Sequence, residues 1–154
     1  MKAMVMFALL TTLPFVTYGQ ETKNAAPSTA TKEQVRAKAG QDVWIVVTYV
    51  QDAARPEFEK WVKEVFYPAL QKSANPMHQD QLNNTRWLEP ASQNEDKSWT
   101  YVWIMDPVVP KADYDIPTML NAAYGEEKGK AHWEKYQTFF VKAPEIHILK
   151  QTGY

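Results

Sequence analysis

Cysteine is missing altogether from this chain of 154 residues, and glycine is scarce, with five in all. No disulfide can form, so the fold has to be held by burial alone. A lipid anchor attached through a cysteine is excluded for the same reason. A surplus of either charge is lacking too: 17 basic residues face 18 acidic ones, and no basic block stands out. Phosphate backbones are gripped by clustered Lys and Arg, so a nucleic-acid partner is not expected. Nothing resembles a phosphate loop, a nucleophile elbow or a zinc cluster. The one long apolar run, Ala3 to Val16, is broken by Thr11, Thr12 and Pro14. It is shorter than the roughly 20 residues that span a bilayer.

That run does have the form of an export signal. Lys2 supplies a basic start, the apolar core follows, and Thr17 and Gly19 place small residues ahead of a polar tract. Such a pattern is what the export machinery and its peptidase read. Cleavage is expected after Gly19, which gives residues 1–19 as a signal peptide and a periplasmic or secreted product with nothing left to hold it to a membrane. Taking 19 residues from 154 leaves 135, enough for one domain, and all six Trp remain in it. Residues 20–41 contain no aromatic and one large aliphatic, Val35. They cannot bury enough to order themselves and are expected to form a flexible linker ahead of a domain at 42–154.

Within that domain, Val43 to Val50 reads VWIVVTYV, a strand apolar on both faces. Arg55-Pro56 opens a helix whose stripe of Phe58, Trp61, Val62, Val65, Phe66, Ala69 and Leu70 recurs at steps of three and four. Pro68 is expected to kink or end it. Residues 71–84 look like loop. Arg86 to Glu89 and Ser98 to Met105 form a hairpin around Asn94-Glu95-Asp96-Lys97. Helical stretches follow at Ile116 to Tyr124 and Glu126 to Val141, split by Gly125, and Glu145 to Gln151 is a last strand. The order β-α-β-β-α-β is the α+β ferredoxin-like arrangement, a four-stranded antiparallel sheet with helices on one face. The other face of a strand apolar on both sides also needs cover, and a second copy of the same sheet would supply it. A homodimer is therefore expected.

The element order, together with FEKWVKEVFYPAL, YVWIMDPVVPKADYDI and KAHWEKY, resembles the dimeric α+β barrel superfamily, which holds antibiotic-biosynthesis-monooxygenase-like and stress-responsive barrel domains. The resemblance spans about Val43 to Lys150. It implies dimerisation into an α+β barrel and, among relatives, either cofactor-free oxygenase chemistry, haem handling or no activity. Haem-degrading relatives work with an Asn on the first strand, a Trp on the third and a His on the following helix. Trp103 matches the second of these in kind and His132 lies in the following helical region, whereas the first strand carries Thr48 and Tyr49.

Candidate site residues follow from spacing and composition. His132 and Tyr136 are one helical turn apart and form a candidate catalytic pair with Trp103, His132 handling protons or iron; the bland alternative is a surface histidine beside core aromatics. Arg86 and His147 are polar groups in an apolar sheet, and with Trp87 and Tyr101 they are candidate ligand-binding residues; Arg86 would need a carboxylate, for which Glu89 or Glu145 could serve. Trp44, Trp87, Trp99 and Trp103 could line a cavity for a planar ligand or simply fill the core. Asp106, Asp113 and Asp115 fit turns and a helix cap better than a metal site. The functional expectation is an exported domain binding a small apolar or planar ligand, as a monooxygenase-like or haem-handling protein. The alternative is a non-catalytic exported domain serving homodimer assembly or protein contact. Intact-mass analysis of the protein from an exporting host should show loss of residues 1–19, and a full-length mass in the membrane fraction would refute the processing.

Overall fold

The computed structural model describes residues 35–153. The signal peptide and most of the linker expected from the sequence lie outside the described residues. Strand β1 (Asp42–Val50) is followed by a single 3-10 turn and by α1 (Arg55–Trp61). The helix continues through a π-helical segment, Val62–Phe66, into α2 (Tyr67–Gln71), and α3 (Pro76–Asn84) comes next. Then come β2 (Thr85–Leu88), β3 (Trp99–Met105), α4 (Ile116–Tyr124), α5 (Glu126–Gln137) and β4 (Glu145–Lys150). The strands form one sheet in the order β2-β3-β1-β4, every neighbouring pair antiparallel. This is the ferredoxin-like α+β fold.

Three expectations need correction. Of the two outcomes expected at Pro68, an end to the helix does not occur. The Tyr67 N–H reaches back five residues to the Val62 carbonyl, and this wide turn re-registers the ladder just before the proline, whose missing N–H then falls in the first turn of α2. Residues 71–84 are not simply loop, because Asn75 Oδ1 accepts from the Met77 N–H at 3.0 Å and caps α3. The face α3 buries is polar, His78 and Gln81, so no apolar stripe marks it. The helix expected to run to Val141 ends at Gln137. Beyond it the Gln51 N–H donates to the Phe139 carbonyl and the Val141 N–H to that of Tyr49, which extends the edge of β1.

Strand alternation sorts β1 and β3 into two faces. Thr48, Val50, Tyr101 and Trp103 point under the helices and are buried. Phe58 on α1 is the hub of the core, fully buried against Trp87, Tyr101, Tyr136, Phe139 and Phe140 at centroid separations from 4.9 to 6.4 Å. Under it Tyr101, Trp87 and Trp103 stack in a row, 5.5 and 5.6 Å apart and nearly parallel. The opposite face carries cross-strand rows of Leu88, Val102 and Val47, and of Ile104 and Ile45, with Val43 beside Leu149 at one end. The β1 and β3 residues of these rows are half-buried, and Leu88 and Leu149 at their margins are exposed. Among the described residues, no helix is long and apolar enough to cross a membrane.

Candidate functional site

A cavity of about 270 Å³ lies between the helices and the sheet. Its floor is Trp44 and Val46 from β1 and Trp103 and Met105 from β3, all inward by strand alternation. The first helix contributes Trp61, Phe66, Tyr67 and Leu70. Trp133 and Tyr136 come from α5, Ile116 and Met119 from α4, and Gln81 from α3. What brings α5 over the sheet is its close crossing with α4 at Gly129. A side chain there would place its Cβ 2.7 Å from the Asn121 Cα, so only glycine permits the approach. The mouth lies toward β4, where Ile146 lines the cavity yet is 62% exposed.

Nearly every group in this wall is aromatic or aliphatic. Tyr136 is 5% exposed, its ring against Trp61 at 4.7 Å and Trp133 at 5.5 Å, and burial holds its hydroxyl well above the ordinary phenol range. At neutral pH it is a proton-bearing donor and not a base. Asp115 also lines the cavity, but its Oδ2 accepts from the Thr118 N–H and hydroxyl, which makes it the α4 cap expected from the sequence. Neither histidine nor cysteine lines the cavity, so it offers haem iron no imidazole or thiolate, and the residues present do not fit a histidine-ligated haem. The arrangement can enclose and orient a flat apolar molecule and meet its polar edges with a few fixed hydrogen-bonding groups.

Of the residues singled out from the sequence, Trp44, Trp103 and Tyr136 meet in this cavity. His132 does not join them. It lies outside the lining, its ring on Tyr124 at 4.9 Å, because a turn of α5 carries it about 6 Å along the helix axis from Tyr136 although the two share a face. Trp87 and Tyr101 lie outside the lining, in the stacked layer, and Tyr101 is fully buried with its hydroxyl donating to Glu59 Oε1 at 2.5 Å. Burial first, and the Glu59 carboxylate second, raise the Tyr101 phenol far above its usual range. Arg55 in turn donates to Glu59 at 3.0 Å and stacks over Trp99, so this chain of contacts pins α1 to β3. His147 is on the outer face, opposite Ile45. The residues that sequence reasoning passed over are Gln81 and His78, both on the helix it read as loop. His78 borders a second hollow between α2, α3 and α4.

Arg86 has a different partner from those expected. Its guanidinium donates to Asp106 Oδ2 at 2.9 Å, while Glu89 pairs with Lys63 and Glu145 with Lys142. Asp106, read from the sequence as a turn residue, also accepts from Arg36 at 3.0 Å and from the Ala37 N–H at 2.8 Å. Residues at the end of the expected linker are thus tied to the loop after β3, and the Gly40 N–H adds a bond to the Gln151 carbonyl.

No family model matches the chain, and no curated protein does. Among solved structures it is similar to a candidate antibiotic-biosynthesis monooxygenase from Caulobacter crescentus. The identity is 15% and the TM-score 0.41, over 75% of this chain and 93% of that one. The fold assignment here rests on the strand order and register.

Burial acts to raise the Asp106 carboxyl, but the Ala37 N–H and the guanidinium groups of Arg36 and Arg86 outweigh it, and the net displacement is below the ordinary value. A carboxyl so held stabilises the fold at every pH above the ordinary carboxylate range. That contribution is lost as pH falls through its lowered value. Asp106→Asn should therefore cost about 1–3 kcal/mol in urea unfolding at neutral pH, by stranding Arg86. The gap to the parent protein should close as pH falls from about 4 downward, and a gap independent of pH would contradict the assignment.

Proposed function

We propose that this domain binds a small, planar, largely apolar ligand in the cavity between its helices and sheet, as an exported homodimer. The observation that carries the reading is the cavity itself. Its wall combines four indoles (Trp44, Trp61, Trp103 and Trp133) with the buried Tyr136, and flat aromatic surfaces around a concave pocket are how proteins hold flat ligands. Oxygenase-like chemistry on an aromatic substrate is the catalytic form of the reading. In it Tyr136, kept protonated by burial, would hydrogen-bond and orient the substrate, and the apolar wall would exclude water around it.

The dimer is supported by the uncovered sheet face. Val43, Ile45, Val47, Val102 and Ile104 form one apolar field whose long rows end on Arg86 and His147 or on Leu88 and Glu145. A field of this kind is rarely left to water. The polar groups among those ends suit a two-fold pairing in which the apolar centres meet and Arg86, His147 and Glu145 stay at the rim. Export is supported by the basic start, apolar core and small residues of segment 1–19.

Titration with naphthalene or phenanthrene should quench the tryptophan emission saturably. Ile116→Trp, which fills the cavity from α4, should abolish the quench while leaving the melting temperature within a few degrees. Quenching that never saturates, or survives the filled cavity, would end the reading. Light scattering at micromolar concentration should give twice the chain mass, and Val102→Asp in the centre of the outer face should return the single-chain value. A monomer mass for the unaltered protein would count decisively against the dimer.

A further inference from the structure

The register between β1 and β4 carries the cavity floor out past its mouth. Val46 in the floor is paired with Ile146, and Trp44 with Ile148. Directly opposed residues of an antiparallel pair point to the same face, so both isoleucines lie on the inner side of the sheet. Ile146 still lines the mouth at 62% exposed, and Ile148, two residues further along the strand, is 65% exposed. Among the described residues they are the most exposed of the large apolar side chains, although isoleucine is ordinarily one of the most buried residue types. The next pair on this face is ionic, Lys150 Nζ with Asp42 Oδ1 at 2.6 Å, and it closes the apolar strip. From Ile146 to Lys150 the strip follows about 13 Å of strand.

Two covers for this strip can be set aside. Residues 20–34, which export would leave on the chain, contain no aromatic and no large aliphatic side chain. A second copy seated on the outer face lies on the other side of the sheet. The ligand is the remaining cover, and the strip is continuous with its site: Trp44, Val46 and Ile146 line the cavity, and Ile148 stands directly beside Trp44. A rigid ring system held among the indoles has one way out for anything attached to its edge, over these isoleucines, and an apolar group gains by lying there. We propose that the inner side of β4 is a second subsite, which takes an unbranched apolar chain carried on the edge of the planar ligand. The proposal rests on the cavity being the ligand site. It adds the ligand class, a flat aromatic head for the stiff walls and an aliphatic tail outside them, with the Lys150–Asp42 pair limiting how far an apolar tail gains.

The test compares naphthalene, 2-butylnaphthalene and 2-(methoxymethoxy)naphthalene, whose chain has the reach of the butyl group but contains oxygens. In quenching titrations of the full protein the butyl compound should bind about tenfold more tightly than naphthalene, since a chain covered on one side gains about half of what full burial of each methylene would give. The ether chain should add little, because its oxygens lose water without finding a donor. Ile148→Asn should remove most of the butyl gain and leave naphthalene binding unchanged. Leu149→Asn, on the outer side of the same strand and also exposed, should keep the gain. Melting curves are measured alongside, and should Ile148→Asn fail to fold, the butyl-to-ether ratio in the unaltered protein decides. A butyl chain that adds nothing, a gain shared by the ether, or a gain that survives in Ile148→Asn or is lost equally in Leu149→Asn would overturn the subsite while leaving the cavity reading intact. A light-scattering mass above two chains that Ile148→Asn reduces would give the strip to another copy and overturn the subsite as well. Failure of both naphthalene and its butyl derivative to bind would remove the cavity reading and this proposal with it.

Discussion

The packing of the first helix onto the sheet through aromatic rings is the contact on which everything else in this domain depends. With no disulfide available, Phe58 and the stacked row of Tyr101, Trp87 and Trp103 must supply through burial and ring contact what a covalent link supplies elsewhere. Edge-to-face and offset-stacked rings fix relative orientation as well as distance, since each ring's positive edge seeks a neighbour's negative face. Aliphatic side chains would fill the same volume with less directional preference. The hydrogen bonds from Tyr101 and Arg55 to Glu59 close the same interface at its polar margin.

The cavity is the counterpart of that packing. Toward the Phe58 end the rings meet edge to face and leave no space, and α5 is drawn in by the glycine crossing at Gly129. Toward β4 the helices no longer reach across the sheet, and Ile146 and Ile148 on its inner side are 62% and 65% exposed. A pocket opens between these two regimes. Its walls are stiff because the rings that line it also belong to the core, and stiff walls favour a flat ligand over a flexible one, since little side-chain freedom is lost on binding. The loop that carries Tyr114 and Asp115 over the pocket is held from both ends. Asp106 is clasped by Arg36 and Arg86, and Asp113 accepts from Gln81.

Several features of the sequence were read correctly because they depend on neighbours along the chain. The continuous apolar run VWIVVTYV, the i, i+3, i+4 stripe from Phe58 to Leu70 and the turn chemistry of Asn94 to Lys97 are local patterns, and they led to the right order of strands and to every helix but α3. Asp115 is another case, its cap visible from the Ile-Pro that follows it. Helix α3 had no such signal, since the side chains it buries are polar and the residues around them resemble a loop. The π-helical turn before Pro68 likewise leaves no trace in the apolar stripe, whose positions fit an ordinary helix.

The site was less visible than the fold, and for a physical reason. Which polar groups meet depends on contacts between residues far apart in the chain. Arg86 chose Asp106, 20 positions away, over the nearer Glu89. Gln81 found the carbonyl of Asp113 across 32 positions. One turn of helix is enough to place His132 on Tyr124 and Tyr136 in the cavity, a displacement along the axis that a shared helix face does not resolve. By itself, then, the sequence determined the strands, most of the helices and the two-sided apolar character of the sheet, because backbone preference and residue period act over a few residues. Tertiary structure alone decided where the cavity lies and which side chains face it, because those depend on how rings of fixed shape pack once distant segments are brought together.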